Sequence, residues 1–185
     1  HQNDILILNS QTVTSFQELN DAVEVVTNGI TFKTNKLLYT TNGFASQLTN
    51  NQVQPARAQV LITKPIPNLD IRGTFHLDKG YFYFRNINDR ILFGGGRNLD
   101  FAGETTTSHD TTELIQNRLE ELLKTVILPH QKFEIEHGWS GTMGVGTHKK
   151  PIVEQLSNNV YCGVRMGGMG VAIGSLVGQE LADLI

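Results

Sequence analysis

The reading turns on residues 160–185: Val-Tyr-Cys-Gly-Val-Arg-Met-Gly-Gly-Met-Gly-Val-Ala-Ile-Gly-Ser-Leu-Val-Gly-Gln-Glu-Leu-Ala-Asp-Leu-Ile. Val160, Tyr161 and Cys162 favour extended backbone and read as a short strand. Gly163, Gly167, Gly168, Gly170, Gly174 and Gly178 then follow in quick succession. Clustered glycine marks a backbone that bends sharply or lets something approach closely. The stretch from about 171 to 184 reads as a helix. A chain that turns through glycine into a helix leaves the first helical N–H groups unpaired, with a partial positive charge. Such an end suits an anionic or electron-rich ligand atom. The Gly-Lys-Ser/Thr ending of a phosphate-binding P-loop is missing. Gly-x-Gly-x-x-Gly after a first strand is missing too. Taken alone, the turn serves equally as a structural bend. A non-catalytic ligand-binding or interaction domain is the alternative it leaves open.

Working outward, residues 132–137 alternate as a strand, and Asn158-Asn159 breaks the chain before Val160. Residues 111–127 carry the clearest helical pattern, with Leu114, Ile115, Leu119, Leu122, Leu123 and Val126 on one broad face. Asp110 stands as its cap, with Glu113 at capping-box spacing. Pro129 ends it. Residues 56–107 read as an antiparallel meander. Ala58 to Thr63 is one strand, Arg72 to Leu77 and Tyr81 to Asn86 flank Asp78-Lys79-Gly80, and Arg90 to Gly94 returns after Asn88-Asp89. Residues 1–53 read as short strands. These include the apolar run Ile5 to Leu8, the stretch Thr12-Val13-Thr14, a hairpin about Asn28-Gly29 and a strand from Lys36 to Thr40. Asn50, Asn51, Gln52 and Gln54 make a polar linker that ends at Pro55. The order implies an α+β fold closing on a strand–loop–helix unit.

Composition removes several function classes. The formal net charge is −3, so no basic surface awaits nucleic acid. No apolar run approaches the roughly 20 residues of a membrane span. The start, His1-Gln2-Asn3-Asp4, lacks the pattern of a signal peptide. Cys162 is the single cysteine, which rules out an internal disulfide and fits a reducing, cytoplasmic setting. His1, His76, His109, His130, His137 and His148 show no metal spacing, so no metal is expected. Ser10, Ser140 and Ser175 lack a triad pattern.

The C-terminal stretch resembles the signature of the D-amino-acid oxidase, glycine oxidase and sarcosine oxidase family of FAD-dependent oxidoreductases. Other segments agree in family order. Leu37 to Phe44, with Thr41-Asn42-Gly43, resembles a strand that borders the cofactor. Pro55-Ala56-Arg57-Ala58-Gln59 resembles the crossing into the substrate domain. Tyr81 to Arg85 with Ile91 to Gly95 resembles the hairpin over the flavin. Trp139-Ser140-Gly141 with Pro151 resembles a segment beside the substrate, and Val13 a valine whose backbone meets the adenine.

The resemblance implies a split architecture. Residues 1–54 would be part of the FAD-binding segment, 55–158 the substrate domain of antiparallel or mixed sheet with a helix, and 159–185 the returning FAD-binding strand, glycine loop and final helix. It implies oxidation of the C–N bond of an amine or amino acid by hydride transfer to flavin. Val13, Thr41, Asn42, Gly43, Gly167, Gly168, Met169 and Gly170 would border FAD. Tyr81, Tyr83, Trp139 and Arg165 would face a small amine or amino-acid substrate. FAD would be held non-covalently, since Gly141 stands nearest the place where some relatives carry an attaching cysteine.

Met143 falls where relatives grip a substrate carboxylate with arginine, and Leu92 where a lysine assists oxygen. Both depart from an ordinary amino-acid oxidase. The fingerprint that opens the family does not occur, so the resemblance implies a C-terminal portion of an enzyme. By itself such a portion would be inactive, bind FAD weakly or not at all, and self-associate through its flavin-facing surface.

Overall fold

The computed structural model describes residues 5–47 and 52–185. In chain order the strands are β1 Val13–Glu18, β2 Val23–Thr27, β3 Thr31–Thr34, β4 Leu37–Tyr39, β5 Gln54–Thr63, β6 Thr74–Leu77, β7 Phe82–Ile87 and β8 Arg90–Gly95. Helix α1 Glu113–Leu122 follows, then β9 Ile135–Val145, β10 Ile152–Gln155, β11 Val160–Val164 and α2 Gly170–Ala182. The fold is α+β, with mainly antiparallel pairing among the described residues and a parallel pairing of β4 with β11. The chain divides into two compact units, residues 1–53 with 144–185, and residues 54–143. Residues 144–158 fall in the first unit because β10 pairs with β11, from Ile152↔Val164 to Gln155↔Tyr161.

In the first unit, β1-β2-β3 form one sheet and β10-β11-β4 another. Strand β11 is buried along its whole length because it is covered on both faces. Val160, Cys162 and Val164 pack with Val23, Val25, Tyr39, Ala45 and Val53. On the other face, Gly163 lies against Val177 and Leu181 of α2. A continuous apolar strand is what a doubly covered sheet requires. The β2–β3 hairpin forms, but neither Asn28 nor Gly29 takes positive φ. Thr27 closes it instead, with its N–H donating to Ile30 O at 3.0 Å and its Oγ1 accepting from Ile30 N at 2.9 Å. Ile5 to Leu8 form no strand and are exposed. Asn50 and Asn51 of the expected linker, and His1 to Asp4, lie outside the described residues.

In the second unit, one sheet runs in the order β6-β7-β8-β5-β9. Leu61, Phe82, Phe84, Ile91 and Phe93 project from one face onto Ile115, Leu119 and Leu123. Asn88-Asp89 makes the tight turn, both residues at positive φ, closing the pair Ile87↔Arg90. Asp78, Lys79 and Gly80 all take positive φ before β7.

Helix α1 is shorter than its apolar pattern. Its cap is Thr112, not Asp110, whose carboxylate accepts from Ser108 Oγ at 2.6 Å. Gln59 of β5 supplies the missing acceptor, taking Thr112 N–H on Oε1 at 2.9 Å. The helix then widens into a π-turn over Leu123–Ile127, closed by Leu128 N–H to Leu123 O at 2.7 Å. The widened turn buries Leu123 and leaves Val126 exposed, and Leu114 is exposed as well. Strand β9 runs on from the expected segment through Trp139 to Val145, past Ser140, Gly141 and Thr142, whose polarity hides it in the sequence.

Candidate functional site

The parallel register Val160↔Leu37, Tyr161↔Leu38, Cys162↔Tyr39 brings the C-terminal ends of β4 and β11 side by side. Ligands of open α/β sheets sit beyond such carboxyl ends. Thr41-Asn42-Gly43 follows β4, and Met166 to Gly170 follows β11. Asn42, at φ 47, accepts the Met166 N–H on Oδ1 at 3.1 Å. Gly167 N–H donates to Gly144 O at 2.9 Å. Gly167 and Gly168 take φ of 57 and 83, conformations that favour glycine. A Cβ at Gly167 would meet open space.

Helix α2 starts at Gly170 with Met169 as its cap residue and no side-chain cap; Met169 and Ala172 N–H donate to the carbonyls of Met166 and Met169, which leaves the N–H groups of Gly170 and Val171 available. Thr41, Asn42, Gly43, Gly167, Gly168, Met169 and Gly170 therefore gather at one end of the sheet. Val13 belongs to a different sheet, at the start of β1 opposite Thr27.

Arg165 joins β11 to the loop at φ 63, a strained conformation for a side-chain-bearing residue. Its Nε donates to Lys150 O at 3.0 Å, and its stem lies against Gly146, where a Cβ would sit 2.7 Å from Cδ. The residue is 5% exposed and borders a cavity of about 470 Å³ with Lys150, Ile152, Val177 and Glu180. Its guanidinium is turned toward the 146–150 segment.

The sheet of the second unit presents its other face through Tyr83 and Arg85 of β7, Leu92 of β8, and Val60 and Ile62 of β5, all alternating with core residues. A Cβ at Gly94 would overlap Val60 and lie 3.0 Å from the Tyr83 ring, so glycine lets that ring settle over β8. On β9, a Cβ at Gly138 would lie 2.7 Å from Gln116 of α1. His137 and Trp139 therefore point away from α1, and their rings stack 5.6 Å apart at 13°.

Tyr83 is 37% exposed, yet lost solvation pushes its phenol above the ordinary value, so it stays an O–H donor at neutral pH. Tyr81 precedes β7, half exposed, with its ring edge-on to Phe101 at 6.2 Å. Among the described residues no group of His, Cys, Asp and Glu could hold a metal. No helix there is long and apolar enough to cross a membrane.

Behind this sheet lies a polar network that sequence reasoning missed. Arg57 donates from Nε to Glu104 Oε2 at 3.0 Å and from Nη2 to Oε1 at 2.7 Å. Gln59 Nε2 donates to the same Oε1 at 2.9 Å and to Thr112 Oγ1 at 2.9 Å. Glu104 gave no local signal. An arginine between alanines in a β pattern was the one hint.

Residues 1–184 match the family described as FAD dependent oxidoreductase, or DAO. The chain is 18% identical over 189 aligned positions to a probable oxidoreductase, OrdL, of Haemophilus influenzae, covering 98% of this chain and 43% of that protein. An L-proline dehydrogenase from P. horikoshii superposes with TM-score 0.76 at 20% identity, over 94% of this chain and 49% of its own. A glycine oxidase from Bacillus cereus superposes with TM-score 0.76 at 16% identity, over 94% and 49%. The chain thus spans less than half the length of these relatives. With nearly every residue matched, the chain belongs to the DAO family of FAD-dependent oxidoreductases.

Proposed function

We propose that this chain is part of an oxidoreductase that takes hydride from the carbon beside the nitrogen of a small amine or amino acid. The observation that carries the reading is the exposed, uncapped start of α2, held at the carboxyl ends of β4 and β11. That end fits FAD. Backbone N–H groups and a helix dipole favour electron-rich carbonyls and the negative charge of a reduced ring. Gly167, Gly168, Met169 and Gly170 would hold the pyrimidine edge. Thr41, Asn42 and Gly43 would border the ring, and Val13 the adenine. FAD when bound supplies the non-covalent hydride acceptor.

Residues 1–53 with 144–185 then serve the cofactor, and the sheet of residues 54–143 serves the substrate. Tyr81, Tyr83 and Trp139 offer aromatic walls and two phenol donors. Arg165, held through Nε by the Lys150 carbonyl and with Nη1 buried and unpartnered, would bring a positive charge to the substrate side of the glycine loop. With Met143 and Leu92 on β9 and β8, the site lacks the carboxylate-gripping arginine and oxygen-assisting lysine that the family resemblance associates with those positions.

The test is flavin absorbance near 450 nm in the full-length protein that carries this chain. We expect a yellow protein, or one that takes up FAD on reconstitution. A colourless protein that gains no flavin would overturn the reading. The 185-residue chain alone is expected to bind FAD weakly or not at all. Tight stoichiometric FAD in it would refute that part.

A further inference from the structure

The glycine loop is held from two sides, by residues far from it in sequence. Asn42 Oδ1 takes the Met166 N–H at 3.1 Å, and Gly144 O takes the next amide, Gly167 N–H, at 2.9 Å. Asn42 sits at φ 47, where glycine and asparagine are at ease. Glycine would satisfy the backbone there, but only a side-chain acceptor reaches Met166.

Gly144 is buried, and its missing side chain matters. A Cβ there would lie 2.6 Å from Asn42 Oδ1 and 3.0 Å from Gly43 N. Any larger residue would push Asn42 off its hydrogen bond while leaving its own carbonyl in the chain. The two residues therefore work as one device. One supplies an acceptor, and the other supplies an acceptor and the space the first needs.

From these contacts we infer that Asn42 and Gly144 form a clamp that sets the conformation of Met166 and Gly167, and through them the aim of the α2 N-terminus. Asn42 is thus a positioning residue whose side chain is spent on the loop, not on the cofactor. The consequence for the cofactor rests on the flavin-facing reading above. A loop free to tilt would present its N–H groups less well to a reduced ring and make that ring harder to reduce.

The first measurement is amide hydrogen exchange on the chain itself. Asn42→Gly keeps the backbone conformation and removes the acceptor. It is expected to speed exchange at Met166 by roughly two- to ten-fold, the worth of one hydrogen bond. Asn42→Asp keeps an acceptor oxygen and is expected to stay near the parent rate. Gly144→Ala is expected to speed exchange at both Met166 and Gly167. Unchanged exchange in Asn42→Gly, or equal acceleration in Asn42→Asp, would overturn the clamp.

The second measurement is the flavin reduction potential of full-length Asn42→Gly, expected to fall relative to the parent. Faster exchange with an unchanged potential would overturn the positioning role. A full-length protein that never takes up flavin would instead sink the proposed function, and the exchange result would stand.

Discussion

Replacing Glu104 with glutamine would strand a charge inside the second unit. Arg57 is 6% exposed and Glu104 1%. The pair is bidentate, at 3.0 and 2.7 Å, with Gln59 adding a third donor to the carboxylate at 2.9 Å. The Glu104 hydrogen bond that raises the Arg57 pKa is lost in the variant, but a guanidinium stays protonated in proteins without such help, so Arg57 cannot escape by losing its proton. Glu104→Gln keeps the shape but presents an amide to donors that need an anion. Breaking a buried pair from one side costs about 3–5 kcal/mol.

With a urea dependence of about 1–3 kcal/mol per molar, the midpoint should fall by at least about 1 M. Trp139 is the single tryptophan and lies in this unit, so its fluorescence reports the transition directly. The double change Arg57→Met with Glu104→Leu removes both charges, while Gln59 keeps Thr112 as a partner. It should regain most of the loss, because a buried ion pair gains little over apolar packing. A loss below about 1 kcal/mol in Glu104→Gln would show that Arg57 finds water or another acceptor. A double variant no better than the single one would show that packing, not charge, holds this corner.

Gly95 stands at φ 121, and a Cβ there would overlap the Tyr81 carbonyl, so Gly95→Ala should cost at least about 3 kcal/mol in denaturant titration. Gly178, on the exposed side of α2 with nothing near, is the contrast: Gly178→Ala should gain up to about 1 kcal/mol, and a loss would mean that side is covered. Burial, with the charge of Glu154 adding to it, pushes the Cys162 thiol up, so a thiol reagent should label the native chain at least about ten-fold slower than the urea-unfolded one; rapid native labelling would contradict the buried strand. The Tyr83 phenol is raised above its ordinary value of 10.0 by lost solvation. Its contribution is whole below the unfolded pKa and is lost as pH rises through the folded one, so Tyr83→Phe should lessen alkaline destabilisation above about pH 10. An alkaline stability profile identical in the variant would refute the shift.

The glycine loop, the meander and the tight turn at Asn88-Asp89 were legible because each is written in neighbouring residues. Glycine spacing, alternation and turn chemistry act over a few positions. The start of α1 was misread because its acceptor comes from Gln59, in a distant strand, and its end because a π-turn follows from packing Leu123 and Leu128 into the core. The extent of β9 was hidden because Ser140, Gly141 and Thr142 interrupt its apolar pattern, and its place beside β5 at the end of the sheet is a tertiary fact.

The sequence by itself determined the family, the α+β class and the membership of the glycine loop in a strand–loop–helix unit. The tertiary structure alone decided which partners hold that loop, how Arg165 is spent, and that Arg57 and Glu104 share a buried site. The physical reason is separation along the chain. Hydrogen bonds such as Asn42 to Met166, 124 residues apart, depend on which segments meet. Nothing in the local pattern of either segment records that meeting.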